Sequence, residues 1–319
     1  MRRLSARRRT RTRVRTGAAV AIALAALASG CTIDPSGADG KPPSGAGGGG
    51  TVLAVKIDNV RPARPHTGLD AADLVYVEQV EAGLSRLMAV YASRLPPAIG
   101  PVRSARETDI ELLRQFDRPV LAFSGAQSKL LPLIDDAPVR AVPPGKAPRD
   151  AYYRGGGKPA PHNLFLRPDA LKVSPRAGAL ESAGIRFGPK PAGGTPETRR
   201  TVRFPAARFT FDWVEYEGRW RITMDGERAR TSGGKELSAS TVVVQYAKVR
   251  PSRFHDRSGN VSPFTETVGE GKARVLREGR AYDARWKRTT AEDGTEFTTA
   301  DGKPLPFAKG QVWVVYAKA

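Results

Sequence analysis

Short apolar runs with strand-like composition follow one another soon after residue 50. TVLAVKI, DLVYVEQV and RLMAVYA are rich in Val and Leu, and EAGLS, which contains Gly83, separates the second run from the third. Two such runs joined by a short connection with glycine predict a β-hairpin. PVLAFSG, from Pro119, is a further apolar run that ends in a turn. This part of the chain is therefore rich in predicted strands.

Helical spacing appears between these runs. In DIELLRQF, Ile110, Leu113 and Phe116 fall on one stripe of a helix. AQSKLLPLI predicts a second helix, which Pro132 should end or kink because proline has no amide hydrogen. Helices mixed with strands, one pair of which forms a hairpin, favour an α+β fold with a mixed α/β domain at residues 51–190.

The composition changes at a Gly- and Pro-rich stretch, FGPKPAGGTPE, at Phe187–Glu197. We place a linker at residues 191–204 and a β domain at residues 205–319. In RFTFDWVEY and RWRITMDG every second residue is apolar, beginning with Phe209 and Phe211, and this alternation predicts half-buried strands. STVVVQYAKV, KARVLREGRAYDARWKR and QVWVVYAK continue the pattern. The predicted fold is thus a mixed α/β N-terminal domain followed by a mainly antiparallel β C-terminal domain.

The first thirty residues have the features of an export signal. They contain eight Arg and no acidic residue, and the apolar run GAAVAIALAALA that follows the arginines is too short to span a bilayer. The small residues Ala28, Ser29 and Gly30 precede Cys31, the only cysteine of the chain. This order predicts a lipoprotein signal peptide at residues 1–30 and lipid, palmitate included, on Cys31. The alternative is a buried cysteine after an ordinary signal.

The segment after the cysteine, through Gly50, reads TIDPSGADGKPPSGAGGGG and is almost free of apolar residues. Such a stretch cannot bury enough surface to fold, so residues 31–50 are predicted to be a disordered tether. Several acyl chains on one residue hold a protein firmly to a bilayer. We therefore expect the mature protein on the outer face of the cytoplasmic membrane, with export by the Sec or the twin-arginine route left open.

The formal net charge of +20 falls to +12 once the signal peptide and its eight Arg are removed. A basic exported protein can contact anionic lipid head groups, wall phosphates or nucleic acid. The basic residues are spread along the chain without aromatic interleaving, so we expect no nucleic-acid partner. Three widely separated histidines and the lipid-bearing cysteine give no metal-ligand spacing. We expect neither a metal nor a cofactor.

Two arginines stand at the predicted start of the first helix. In AIGPVRSARETDIELLRQFDR, Ser104 and Glu107 have the spacing of a capping box, and Arg103 and Arg106 flank the first turn. Free amide groups at a helix start together with two guanidinium groups would bind a carboxylate or a phosphate. The alternative is that both arginines pair with carboxylates of the preceding hairpin and only stabilise the domain.

Two other places carry candidates for catalysis. Glu78 and Glu81 share a site only if the strand ends between them, because strand residues three apart point to opposite faces. AYYRGGGKPAPHNLFL places His162 and Asn163 in a glycine-rich loop with two tyrosines, where His162 could act as a base or a donor. Alternatively, His162 and Asn163 only satisfy backbone groups of the loop.

Several long segments, in the same order, resemble one bacterial family. VKIDNVRPARPHTGLDAADLVY, EAGLSRLMAVY, IGPVRSAR, APHNLF, VVVQY and the stretch from ARWKR to WVVY resemble the YerB-like lipoproteins, a domain of unknown function (DUF3048) with an N-terminal and a C-terminal part. The resemblance covers nearly all of residues 51–319 and implies a two-part build but no activity. The residues that match the family pattern are Asp58, Asn59, Arg61, Pro62, Gly68, Asp73, Glu81, Gly83, Arg86, Gly100, Pro101, Arg103, Ser104, Arg106, His162 and Asn163. His66 and Ala82 depart from it, since the family more often has glutamine and glycine at these positions.

The leading interpretation is a lipid-anchored envelope protein whose N-terminal domain binds an anionic wall component or an envelope partner. The expected binding residues are Arg86, Arg103, Ser104, Arg106 and Asn163. One alternative is a cell-wall hydrolase or transferase that uses Glu81 and His162, and another is an assembly scaffold without a small ligand. We favour a binding role over an enzymatic one.

Overall fold

The computed structural model of the protein describes residues 51–155, 157–256 and 258–319. The predicted signal peptide, Cys31 and the predicted tether lie outside the described residues. Within the described part of the chain, no helix is long and apolar enough to cross a membrane.

Residues 51–190 form short helices among strands. The strands are β1 (Leu53–Asp58), β2 (Leu74–Gln79), β3 (Ser85–Tyr91), β4 (Val120–Ala122), β5 (Arg140–Ala141), β6 (Tyr152–Arg154) and β7 (Leu164–Leu166). The α-helices are α1 (Glu107–Leu113), α2 (Leu131–Asp136) and α3 (Ala179–Ser182), and single 3-10 turns lie at Arg61–Ala63, Leu69–Ala71, Glu81–Gly83 and Pro168–Leu171.

The remainder of the chain is built from strands and one 3-10 turn at Glu215–Glu217. The strands are β8 (Thr195–Pro196), β9 (Arg199–Phe204), β10 (Ala207–Val214), β11 (Arg219–Met224), β12 (Glu227–Arg228), β13 (Ser238–Ala239), β14 (Thr241–Ala247), β15 (Val249–His255), β16 (Val261–Thr265), β17 (Gly269–Arg277), β18 (Arg280–Arg288), β19 (Glu296–Thr298) and β20 (Val312–Lys318). Strand β9 falls in the stretch that the sequence assigned to the linker. It forms there because it pairs antiparallel with β10 and buries Val202 and Phe204.

The main sheet combines strands from both predicted regions, in the order β19-β18-β17-β14-β20-β2-β3-β1-β4-β5, with β8 beside β18. β20 joins the two sets because it pairs in parallel with β2 on one side and with β14 on the other. β2 and β20 are buried along nearly their whole length. An apolar run covered on both faces is typical of an interior strand with parallel neighbours. The division of the chain at residues 191–204 stays a prediction.

Each face of the main sheet carries its own core. On one face, Val55, Val77 and Leu87 pack with Phe211 and Trp220 of a second sheet, whose order is β12-β11-β10-β9 with β13 beside β11. On the other face, residues of β1–β3 pack with α1 and α2. The predicted fold class is confirmed, since the N-terminal part holds a mixed sheet with a few helices and the C-terminal part is mostly antiparallel.

The ends of two predicted helices differ from expectation. α1 begins at Glu107, and Arg106, not Ser104, precedes its first turn, with the Arg106 amide donating to Asp109 Oδ2 at 2.7 Å. The predicted capping box of Ser104 and Glu107 was wrong, because long-range backbone hydrogen bonds hold the residues before Arg106 extended. One of them runs from the Arg103 amide to the Lys56 carbonyl. Pro132 neither ends nor kinks α2. It lies in the first turn, where a missing amide hydrogen costs little.

Candidate functional site

A cleft of ≈ 1380 Å³ opens where β1 and β2 end and β3 begins. Its walls come from these strand ends, the segment before α1, the loop between β4 and α2, β6, and the β15–β16 hairpin. The charged groups that line it in the described residues are Asp58, Glu81, Arg86, Arg103, Arg106, Lys129, Arg154 and Asp256. Basic groups therefore outnumber carboxylates along its described walls.

The strand register explains how charged groups reach this end of the sheet. Lys56 and Asp58 are two residues apart on β1, so they share one face. Asp58 lies opposite Arg86 on β3, and Arg86 lies opposite Glu78 on β2. Farther along the same face the residues are apolar and belong to the core under α1. One face of these strands is therefore apolar under α1 and charged where the strands reach the cleft.

Lys56 ties α1 to the sheet. Its ammonium forms ion pairs with Glu78 and with Asp109, the latter at 2.7 Å between Nζ and Oδ1. All of these side chains are buried. Burial lowers the pKa of Lys56 to about 8, although the charge and hydrogen bond of Asp109 act against it. Because Asp109 also accepts the Arg106 amide, this pair positions the segment that carries the cleft arginines.

Glu81 is held as a carboxylate. It begins the 3-10 turn directly after β2, so the strand ends between Glu78 and Glu81, and only Glu81 lines the cleft. Arg106 binds it with two nitrogens, Nε to Oε1 and Nη2 to Oε2, the second at 2.7 Å, and the Ser262 hydroxyl donates to Oε1. Burial favours the neutral acid, but the hydrogen bonds and charge of Arg106 outweigh burial and lower the pKa of Glu81 to about 2.

Asp58 joins a cleft arginine to the histidine loop. Its Oδ2 lies 3.2 Å from Arg103 Nε and 2.8 Å from His162 Nδ1. Asp58 is buried, whereas the His162 side chain is 19% exposed. Behind this pair, His66 Nε2 lies 2.9 Å from the backbone carbonyl of Asp58. Burial lowers the pKa of His66 to about 4, so His66 is neutral near pH 7.

Arg86 has hydrogen-bond donors to spare. The residue is only 9% exposed, and its Nη1 donates to the Ser104 carbonyl at 3.2 Å and lies 4.0 Å from Glu81 Oε2. Within the described residues this is the single hydrogen bond that the Arg86 side chain makes. Burial, and next the charge of Arg106, lower the pKa of Arg86. A guanidinium group has five N–H donors, so several remain for a bound anion.

Most of the residues predicted for the site lie together. Those that line the cleft are Glu81, Arg86, Arg103, Ser104 and Arg106. His162 reaches the cleft wall through Asp58. Asn163 contacts a residue of the cleft wall, since its Oδ1 accepts a hydrogen bond of 2.6 Å from Arg154, which lines the cleft.

Sequence reasoning did not assign site roles to several residues that shape the cleft. Asp58 entered only through the family resemblance, although two charged residues in the otherwise apolar LAVKID were a usable signal. Ser262 gave no local signal, because its contact with Glu81 spans 181 residues.

The arrangement suits the recognition of an anion. Buried or half-buried guanidinium groups bind carboxylates and phosphates strongly when they are shielded from water. In residues 51–155, 157–256 and 258–319, no cluster of three or more His, Cys, Asp or Glu side chains is placed to hold a metal ion. Glu81, ionised and paired with Arg106, has no proton to donate near pH 7.

Comparisons with known proteins match both halves of the chain. The model described as "Protein of unknown function (DUF3048) N-terminal domain" matches residues 40–180, and that of the corresponding C-terminal domain matches residues 200–314. The chain is 25% identical over 285 residues to the Bacillus subtilis (strain 168) protein named "Putative lipoprotein YerB", covering 82% of this chain and 80% of that protein. The crystal structure of the YerB protein from Bacillus subtilis has the same fold, with a TM-score of 0.69 and 21% identity over 84% of this chain and 91% of the other.

Proposed function

The chain belongs to the DUF3048 family of proteins of unknown function, and we propose that it is a lipid-anchored envelope protein whose cleft binds an anionic group. The group would belong to a cell-wall component or to an envelope partner. The observation that carries the proposal is Arg86, a buried guanidinium in the cleft with one hydrogen bond to the described protein.

The anchor rests on sequence and similarity. Residues 1–30 have the order of a lipoprotein signal peptide, and Cys31 follows three small residues. The similarity to a protein named as a lipoprotein supports lipid on Cys31. An exported chain held by acyl groups stays on the outer face of the cytoplasmic membrane, where residues 31–50 would tether the folded part near the wall.

The neighbours of Arg86 support the same role. Arg103 Nε faces Asp58 Oδ2 at 3.2 Å in an ion pair, outside hydrogen-bond geometry, and the terminal nitrogens of Arg103 form no hydrogen bond within the described residues. Arg106 is fully engaged by Glu81 and by backbone carbonyls. We therefore assign anion contact to Arg86 and Arg103, and a positioning role to Arg106.

The alternatives receive less support. A hydrolase needs a proton donor, and Glu81, whose pKa Arg106 lowers to about 2, is ionised near pH 7 and cannot be that donor. His162, the other candidate, contacts Asp58 through Nδ1 and is not among the residues that line the cleft. A scaffold would present a contiguous apolar surface. In the part of the chain that the structure describes, the exposed large apolar residues belong to separate segments: Leu131, Phe187, Tyr216 and Val261.

The test is cosedimentation with purified cell wall across a salt series. Residues 51–319 can be used without the lipid, because their described part belongs to one compact unit. We expect Arg103→Gln to weaken wall retention roughly tenfold, because it removes a charge-assisted hydrogen bond. Arg274→Gln is the matched control, since the Arg274 side chain is 22% exposed against 24% for Arg103 and also pairs with carboxylates, but lies outside the cleft.

Denaturant unfolding must show that each variant is folded under the conditions of the binding experiment, whatever stability it has lost. Equal retention of the parent and Arg103→Gln, or retention that salt does not change, would overturn the anion-binding proposal.

A further inference from the structure

A second, smaller cleft of ≈ 580 Å³ continues the first. The two share the lining residues Val60, Leu84 and Ser85. Beyond them, the smaller cleft is lined by Arg61, by the β9–β10 hairpin and by Asp225. The two clefts therefore adjoin at these residues, and together they are called the groove below.

Two arginines that line the smaller cleft lie opposite each other on paired strands. Arg203 on β9 and Arg208 on β10 are directly opposite in the antiparallel register. Like charges at such positions destabilise a strand pair. In the described residues, neither side chain forms an ion pair with a carboxylate, whereas Arg199 and Arg200 on the same strand β9 do.

Asp225, the carboxylate among the described residues that line the smaller cleft, already has partners. Asp225 Oδ2 lies 2.7 Å from Arg64 Nη2, and Asp225 Oδ1 accepts the backbone amide of Arg208 at 2.7 Å. Asp225 therefore fixes the backbone of the arginine pair but leaves the two guanidinium groups available to a ligand.

The hairpin is held against the first cleft. The amide of Ala206, in the β9–β10 turn, donates to the carbonyl of Gly83 at 2.9 Å. Gly83 ends the 3-10 turn that begins with Glu81. The Arg203 and Arg208 pair is thus positioned relative to the site of Arg86 and Arg103 by a contact in the groove wall.

We propose that the groove binds a linear polymer with repeated phosphate groups, one phosphate near Arg86 and Arg103 and others along the Arg203 and Arg208 pair. This inference rests on the proposed function and specifies its ligand. Repeated anionic groups explain why basic side chains occur at both ends of one groove. Phosphate fits better than carboxylate because serine hydroxyls at Ser85, Ser104, Ser124 and Ser128 also line the first cleft and can donate to further oxygens.

The experiment measures the binding of residues 51–319 to tripolyphosphate and to long-chain inorganic polyphosphate by calorimetry. We expect the long chain to bind at least about tenfold more tightly per phosphate, because a second contact on a linked ligand is intramolecular. The double variant Arg203→Gln, Arg208→Gln should lose this gain and keep the affinity for tripolyphosphate. Its salt dependence for the long chain should become shallower by roughly 1.4 in log–log slope.

The control is the double variant Arg199→Gln, Arg250→Gln, which removes the same charge from exposed arginines outside both clefts. It should retain the chain-length gain. Equal affinity for short and long chains, or a loss of the gain in the control as well, would overturn the extended groove. Poly-glutamate that binds as tightly as polyphosphate would overturn the phosphate assignment.

The same data separate this inference from the proposed function. If tripolyphosphate binds and Arg103→Gln weakens it, the cleft is an anion site whatever the chain-length result. If neither phosphate form binds while wall retention still depends on Arg103, the phosphate polymer is overturned and the anion-binding proposal stands.

Discussion

His162 Nδ1 lies 2.8 Å from Asp58 Oδ2, and this contact joins residues 104 positions apart. The contact brings the histidine loop to the end of β1, where Asp58 also pairs with Arg103. Asp58 is therefore the group that connects two segments which the sequence presents as separate motifs. Its burial makes its replacement a sensitive test of this arrangement.

We expect Asp58→Asn to lower the free energy of unfolding by about 3 kcal/mol, because it removes the buried charge that pairs with Arg103 and His162. Urea denaturation at pH 7, followed by circular dichroism, measures the loss. His162→Gln, which changes the more exposed partner, should cost about 1 kcal/mol. Equal costs for the two substitutions would contradict the central position of Asp58.

The pairing of Glu81 with Arg106 predicts a pH-dependent stability. The pKa of Glu81 is lowered from its ordinary 4.5 to about 2 in the folded protein, so the unfolded chain takes up the proton first as the pH falls. The stabilisation is complete above pH 4.5 and is lost between 4.5 and about 2.

We expect Arg106→Gln to cost about 3 kcal/mol at pH 7, because it leaves the buried carboxylate unpaired. The difference from the parent should shrink as the pH falls through that window. The control Arg114→Gln removes an exposed pair with Glu292 and should cost less than about 1 kcal/mol. A cost for Arg106→Gln that does not change between neutral and acid pH would refute the assignment.

Lys56 provides a test of the buried network beneath the cleft. Lys56→Met should lower the free energy of unfolding by about 4 kcal/mol, because Glu78 and Asp109 are left as buried carboxylates without their partner. The triple variant Lys56→Met, Glu78→Gln, Asp109→Asn removes all the charges and should regain most of this loss. Chemical denaturation of both variants measures the difference, and a triple variant as unstable as the single one would contradict the ion-pair network.

The hydrophobic pattern predicted those elements that burial at a fixed spacing determines. The β2–β3 hairpin, the buried alternation at Phe209 and Phe211, and the helical stripe at Leu113 are all present, because burial at fixed spacing decides each of them. The predicted start of α1 was wrong, since the Ala105 amide donates to the distant carbonyl of Gly125 and keeps the chain extended there. A capping pattern in the sequence carries no information about such a bond.

The residues of the candidate site could likewise be predicted only where a local motif contains them. The arginines before α1 were visible as a short motif. The pairing of Asp58 with His162 and of Glu81 with Ser262 depends on the strand register and on the β15–β16 hairpin, and neither can be read from spacing along the chain. The family resemblance supplied Asp58 as a position but not as a partner.

Ala82 carries a backbone strain that a single substitution should relieve. Its φ of 56° lies in the left-handed region, between Glu81 and Gly83 in the turn at the cleft. A residue with a Cβ atom pays roughly 1 kcal/mol there, and glycine does not, which agrees with the glycine that the resembling family more often has at this position. We expect Ala82→Gly to raise the free energy of unfolding by about 1 kcal/mol in urea denaturation. Ala126→Gly, at a loop alanine outside the left-handed region, should instead lower it by about 0.5 kcal/mol because glycine gains only unfolded-state entropy. A loss of stability in Ala82→Gly equal to that in Ala126→Gly would show that the turn is not strained at Ala82.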